Sequence, residues 1–190
     1  MAEKQTSLSI LIPTLIERKS ILKVLTVELN RQRKDLPVQL LILADNGEAT
    51  IGEKRNRLLQ EAKGIYVCFI DDDDSVSPDY IETLLTGIET NPDCISLRGE
   101  ITIDGGKPEI FEHSLKYNKW ETKDGAAIKY LRNPNHLNCI RASIAKQFTF
   151  PDKSHGEDHT WSIKINASWL LKTEYYTDRV LYYYKYTSKK

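Results

Sequence analysis

The apolar run Ile65–Ile70 leads without a break into four aspartates, Asp71 to Asp74, and then into Ser77 and Pro78, which read as the start of a helix. The run has the length and composition of a buried strand. It therefore has to leave a hydrophobic core carrying four mutually repelling carboxylates at its mouth. Such charges persist only where water or a cation reaches them, so this strand must end at a cleft. In open α/β sheets the crevice beyond the carboxyl ends of the strands, beside helix N-termini, is where ligands bind. The stretch points to a divalent-metal site that handles a phosphorylated ligand.

The flanking chain supplies a sheet for that strand. Leu8–Ile12 is a short apolar run ended by Pro13, and Glu17 to about Arg33 carries Ile21, Leu22, Leu25 and Leu29 at helical spacing. After Pro37, the run from Val38 to Ala44 reads as a second buried strand, ending in the turn Asp45-Asn46-Gly47. Residues from Gly52 to about Ala62 are helical in composition, with Gly64 as the expected C-terminal stop. Ser77 as N-cap, Pro78 at the first position and Glu82 in the first turn open a third helix, halted by Asn91-Pro92. Strands alternating with helices predict a parallel sheet with right-handed crossovers.

The second half changes character. Runs 94–103 and 107–112 flank Asp104-Gly105-Gly106, a hairpin signature. Residues 113–140 carry little periodicity and read as a long functional loop with short elements. A short helix is expected over 142–147. Gly156-Glu157-Asp158-His159 opens another helix to about Ser168, and a strand is expected around Val180–Tyr184. No repeat or low-complexity linker interrupts the 190 residues. A single domain over 1–190 is expected, with a nucleotide-type half to about residue 92 and an acceptor-type half from about 93.

Composition narrows the partners. With 27 basic and 27 acidic residues, the chain offers no general positive field for nucleic acid or membrane. Cys68, Cys94 and Cys139 are odd in number and in no metal-type spacing, so they read as small core residues in a reducing compartment. The segment MAEKQTSLSILIP lacks a long h-region and a small-residue cleavage site, and no apolar run reaches membrane-spanning length. The expectation is a cytoplasmic protein with no integral membrane segment.

If the chain stays extended through the aspartates, Asp71 and Asp73 share one face and Asp72 and Asp74 the other. Carboxylate oxygens suit Mg²⁺ or Mn²⁺, and Mg²⁺ is usually held by one or two carboxylates plus substrate phosphates. A calcium loop is excluded because Val76 stands where an EF-hand needs glycine and a strand precedes the acids. A merely solvated acidic turn is the common fate of a charge run. It does not explain why the acids follow an uninterrupted buried strand.

Taken in order, Pro13-Thr14, Asp45, Lys54-Arg55-Asn56, Gly64-Ile65-Tyr66, Phe69 to Asp74 and Gly156-Glu157-Asp158 resemble family 2 glycosyltransferases of the GT-A fold, a Rossmann-like, mostly parallel central sheet flanked by helices. The resemblance covers most of the chain, and its compactness is similar to that of viral or phage transferases. It implies an inverting, metal-dependent enzyme that moves a single sugar from a nucleotide sugar, a UDP-sugar foremost, to an acceptor hydroxyl, with Mn²⁺ or Mg²⁺ as cofactor. Pro13, Thr14, Asp45, Lys54, Arg55 and Asn56 would line the nucleotide. Asp71 would lie near the ribose, grouped with Asp72, and Asp73 would hold the metal, with Asp71 and Asp74 assisting. Asp158 would be the general base, with Glu157 beside it. The link from Asp45 to Lys54 is shorter than the family pattern, and no Gln-x-x-Arg-Trp motif of processive members is present.

The chemistry is coherent, because charge builds on the departing diphosphate while the acceptor hydroxyl must lose a proton. His136, Trp120, His159 and Trp161 are candidate acceptor contacts, against ordinary roles as packing or surface residues. For Asp158 the ordinary role is a helix N-cap or first-turn acid. A nucleotidyltransferase or a non-catalytic nucleotide-sugar-binding module are the competing readings. The acceptor is open: a glycan, a glycolipid or another hydroxyl, with a modified DNA base disfavoured by the neutral net charge.

Overall fold

In the computed structural model, which describes residues 5–188, the chain begins with β1 (Leu8–Leu15), a 3-10 turn at Ile16–Arg18, α1 (Lys19–Arg33), β2 (Val38–Asp45), α2 (Ile51–Glu61), β3 (Tyr66–Phe69), β4 (Ser75–Val76) and α3 (Tyr80–Glu89). It continues through β5 (Cys94–Ile95), β6 (Leu97–Ile103), β7 (Glu109–His113), β8 (Glu121–Thr122), β9 (Tyr130–Arg132), β10 (Cys139–Arg141), α4 (Ala142–Ala145), α5 (Glu157–Ala167), β11 (Glu174–Tyr175) and β12 (Val180–Tyr186). The first four residues of the N-terminal segment read as free of a leader lie outside the described residues. Among the described residues, no helix is long and apolar enough to cross a membrane.

The strands form two six-stranded sheets, ordered β11-β5-β10-β3-β1-β2 and β4-β12-β6-β7-β9-β8. As expected, β1 lies parallel to both β2 and β3. The rest of the first sheet comes from the second half of the chain, with β10 antiparallel to β3 and to β5. In exchange, β4 from the first half pairs with β12 in the second sheet. The two halves are therefore interleaved across residue 92 and do not form separate layers. One buried cluster carries Leu8, Ile10 and Cys68 from the first sheet together with Phe111, Leu181 and Tyr182 from the second. All three cysteines are free and buried in the core.

The hairpin forms as read, with β6 antiparallel to β7 and Asp104 and Gly105 at positive φ in its turn. Three local expectations change. The strand β2 lies at the sheet edge, so Ile42 is exposed and the strand is only partly buried. The third helix starts at Tyr80, not at Pro78. Ser77 cannot cap it because its N–H donates to Leu181 O of β12 and its carbonyl accepts from Gln32 Nε2, which holds it extended. Gly64 does not end α2, whose last residue is Glu61. It lies instead where a Cβ would stand 2.4 Å from Ser9 N, so glycine is needed for the close approach of two strands.

Candidate active site

β3 delivers the aspartates to the C-terminal edge of the first sheet, but they do not alternate. The Asp74 N–H donates to Asp71 O at 3.1 Å, closing a turn that sends the four side chains in different directions. The extended-chain assignment of faces is therefore corrected. Hydration and repulsion favour this outcome, since a turn separates charges that a strand would hold in register.

Asp71 points inward. Its Oδ1 accepts from Arg55 Nη2 at 2.8 Å, and its Oδ2 lies 3.8 Å from His136 Nε2. Burial alone would raise the Asp71 pKa; the Arg55 charge and His136 outweigh it and hold the carboxyl below the usual range. Asp72 accepts a hydrogen bond from Thr14 Oγ1 and pairs with Arg18 at 2.7 Å. Asp73 is the exposed member and shares the same Arg18 nitrogen at 2.7 Å. Asp74 is turned to the back, where it accepts from Tyr182 OH at 2.7 Å and from Lys185 N at 3.1 Å. Burial, with the neighbouring Asp71 charge, pushes its pKa up to about 8. A buried carboxyl so committed is not placed to assist a metal, which corrects that assignment for Asp74.

At the ends of β1 and β2, Thr14, Asp45 and Lys54 do come together. Buried Lys54 donates to Thr14 O at 2.7 Å and pairs with Asp45, whose carboxylate also accepts from Gly47 N and Ala49 N. Pro13 is buried opposite Leu43, beyond the last β1–β3 pair, so its missing N–H leaves no gap in that ladder. Arg55 and Asn56 do not line an open pocket. The Arg55 guanidinium is buried between Asp71 and Glu157, 5.1 Å from the Phe69 ring centre. Asn56 is bound to the Phe150 backbone through both ends of its amide, at 2.9 and 2.8 Å. Both are corrected from nucleotide contacts to groups that tie α2 to the second half of the chain.

α5 begins at Glu157, with Gly156 before it at φ 69° and no side-chain cap. Asp158 is therefore not the N-cap but an acid in the first turn of the helix, the other ordinary role expected for it. Its Oδ2 lies 3.7 Å from His136 Nδ1, so one buried imidazole stands between Asp71 and Asp158 with neither ring nitrogen hydrogen-bonded. Glu157 faces the other way, buried against Arg55, and is corrected from catalysis to support. Asp71, His136, Asp158, Asn135, Arg132 and Tyr184 line a cavity of about 70 Å³. Trp120 packs against His159 with ring centres 4.4 Å apart and against the Arg132 guanidinium at 4.2 Å. Trp161 is core: it stacks on Phe150 at 4.9 Å and donates to Phe148 O. That removes it from the acceptor contacts.

Among the described residues, no three His, Cys, Asp or Glu side chains converge as a metal cage. The open carboxylates are those of Asp71 and Asp73, both hard oxygen donors at the cleft. They fit an ion held mainly by a ligand's phosphates and water, and not one held by protein alone. Arg18 and Arg132, which reach the cleft from the turn before α1 and from β9, had no readable signal in the sequence.

A mixed sheet whose first three strands are parallel, with carboxylates at their C-terminal edge, a second sheet closing one side and a helix N-terminus presenting Asp158 define a GT-A nucleotide-diphospho-sugar transferase fold. Solved structures agree in fold: S. aureus TarS 1-349 in complex with UDP-GlcNAc aligns at TM-score 0.65 and 16% identity over 97% of this chain and 60% of that one. The same TarS fragment in complex with UDP aligns at TM-score 0.67 and 17% identity over 94% of this chain and 60% of that one. A curated relative, the glucosyl-dolichyl phosphate glucuronosyltransferase of Haloferax volcanii, is 38% identical over 63 residues, 32% of this chain and 20% of its own length. The chain thus spans about a fifth of that relative and 60% of the TarS fragment. The model of glycosyl transferase family 2 matches residues 34–148, and the chain belongs to that family.

Proposed function

We propose that the protein transfers one sugar from a nucleotide sugar, a UDP-sugar foremost, to an acceptor hydroxyl with inversion at the anomeric carbon. The observation that carries this reading is the convergence of Asp71, His136 and Asp158 on one cavity from β3, the loop before β10 and the N-terminus of α5. The nucleoside would lie along the ends of β1 and β2, against Thr14 and Asp45. TarS, the structural neighbour, was solved with UDP and with UDP-GlcNAc, which supports a uridine donor here.

Asp158 would accept the acceptor proton as its oxygen attacks the anomeric carbon, while the bond to the diphosphate breaks on the opposite face. Asp73, with Asp71, would hold Mn²⁺ or Mg²⁺ beneath the diphosphate, where the ion would stabilise the leaving charge as a Lewis acid. Arg18 would release Asp73 when the ligand arrives. Buried Arg55 keeps Asp71 ionised and in place.

The test is calorimetric titration of UDP and UDP-sugars with and without Mn²⁺, alongside donor hydrolysis. Asp73→Ala should weaken metal-dependent binding. Asp158→Asn should keep donor binding and lose roughly 10²–10⁴-fold in transfer. No metal-dependent binding of any nucleotide sugar, or full turnover by Asp158→Asn, would refute the proposal.

A further inference from the structure

Arg132 is a cation on the cavity wall that, among the described residues, has no carboxylate in ion-pair contact. Four other arginines that reach into the fold are paired with carboxylates: Arg18 with Asp72 and Asp73, Arg55 with Asp71 and Glu157, Arg98 with Glu112, and Arg141 with Asp93. The Arg132 guanidinium has neither a carboxylate within 4.0 Å nor a hydrogen bond among the described residues. Its position is nevertheless set. β9 pairs it with His113 of β7, and its guanidinium lies 4.2 Å from the Trp120 ring centre and 5.9 Å from that of Tyr130. Aromatic faces hold a cation without neutralising it. They leave the planar fork of N–H donors free to meet an incoming group.

The cost of this arrangement is visible. Burial lowers the Arg132 pKa from its ordinary value, with the charge of Asp158 working the other way. A guanidinium cannot shed its proton at neutral pH, so the unpaired charge is carried as a standing desolvation penalty. Neither carboxylate of the cavity closes an ion pair with Arg132: Asp71 pairs with Arg55, and Asp158, whose charge offsets part of the penalty, faces His136. His113, also on the wall, stays uncharged, its pKa pushed down to about 3 by burial and by Arg132 itself. A second unpartnered donor, the buried indole N–H of Trp120, sits beside the cation.

We infer that Arg132, seated on Trp120, is a specificity site for a carboxylate or phosphate borne by the sugar being transferred or by its acceptor. The inference rests on the proposed sugar transfer and names the chemical class of its substrate. The diphosphate of the donor is a different anion, expected at Asp71 and Asp73. Arg132 shares its cavity with Asp158, where the proposed transfer would bring the sugar and the acceptor hydroxyl together. A planar anion there would take a two-bond grip from the guanidinium.

The test uses the full chain and five probes: UDP-glucuronate against UDP-glucose, and glucuronate or glucose 6-phosphate against glucose in the presence and absence of UDP. Binding is read by calorimetry and ligand-observed NMR for wild type, Arg132→Gln and Arg132→Lys, each checked for an unchanged melting temperature. The wild type should prefer the charged member of a pair by about ten- to a hundredfold, the value of a charge-assisted hydrogen bond. Arg132→Gln should erase that preference, Arg132→Lys should keep part of it, and the affinity for UDP alone should not change. A preference confined to the UDP-sugars assigns the anion to the donor, and one confined to the free sugars assigns it to the acceptor. No preference in either arm, a preference that survives Arg132→Gln, or an equal loss for UDP and every sugar would overturn the inference. A wild type that binds no UDP but still discriminates the free sugars would sink the proposed transfer and leave this site standing.

Discussion

Replacing Arg55 by Met tests whether a single buried cation organises the site. Arg55 is 3% exposed; it reaches Asp71 at 2.8 Å and Glu157 at 3.3 Å, and its guanidinium lies over Phe69 and Phe150. Met keeps the apolar packing and deletes the charge, which leaves Glu157 buried and the half-buried Asp71 without their cation. Breaking a buried pair in this way costs about 3–5 kcal/mol. For a chain of this size that is a fall of roughly 6–20 °C in melting temperature.

The pH dependence carries the sharper consequence. In wild type the Asp71 pKa is below its ordinary 3.8, so its contribution is present above that value and is lost as pH falls further, through the folded-state pKa. Without Arg55 only His136 opposes burial, so the folded-state pKa rises and the stability gap between variant and wild type should narrow as pH falls from neutrality. Urea unfolding between pH 4 and 8 would show it. A loss under about 1 kcal/mol, or parallel pH profiles for variant and wild type, would refute the buried-bridge account. The double variant with Glu157→Gln should recover part of the loss, because one orphaned charge is gone.

Other consequences follow from the same packing. Trp161→Ala should cost about 3–5 kcal/mol in urea unfolding, because the ring is stacked core; a near-neutral result would return Trp161 to the surface. Gly64→Ala should destabilise by at least about 1–3 kcal/mol, since the new methyl meets strand backbone 2.4 Å away; wild-type stability would contradict that approach. Asn56→Ala should lose about 1–3 kcal/mol, from the two hydrogen bonds to Phe150, and unchanged protection of the Phe150 amide in hydrogen exchange would count against the tie.

Local chemistry determined what could be read without a structure. Apolar runs at Leu8, Val38 and Ile65 are long enough to specify strands, and the helices between them force parallel pairing, so the first ninety or so residues were legible in order. Asp104-Gly105-Gly106 announced its hairpin because only such residues take positive φ cheaply. The strand-borne aspartates and Gly156-Glu157-Asp158 marked the candidate site because the acids directly follow a buried strand and the two stretches stand in an order that resembles the family. What tertiary structure alone decided is which group each charge meets. Short strands such as β5, β10 and β11 carry too few residues for a periodic signal and gain their place only by pairing. The turn at Asp71–Asp74 overrode alternation, sending Asp74 to Tyr182 and leaving Asp73 in the open. Arg55 and Glu157 meet across 102 residues of chain, and His136 reaches Asp71 and Asp158 from a loop with no pattern at all. Burial and long-range charge pairing depend on distance in space, which no spacing along the chain encodes, and they made one of four aspartates the partner of a buried arginine and another a carboxyl with its pKa near 8.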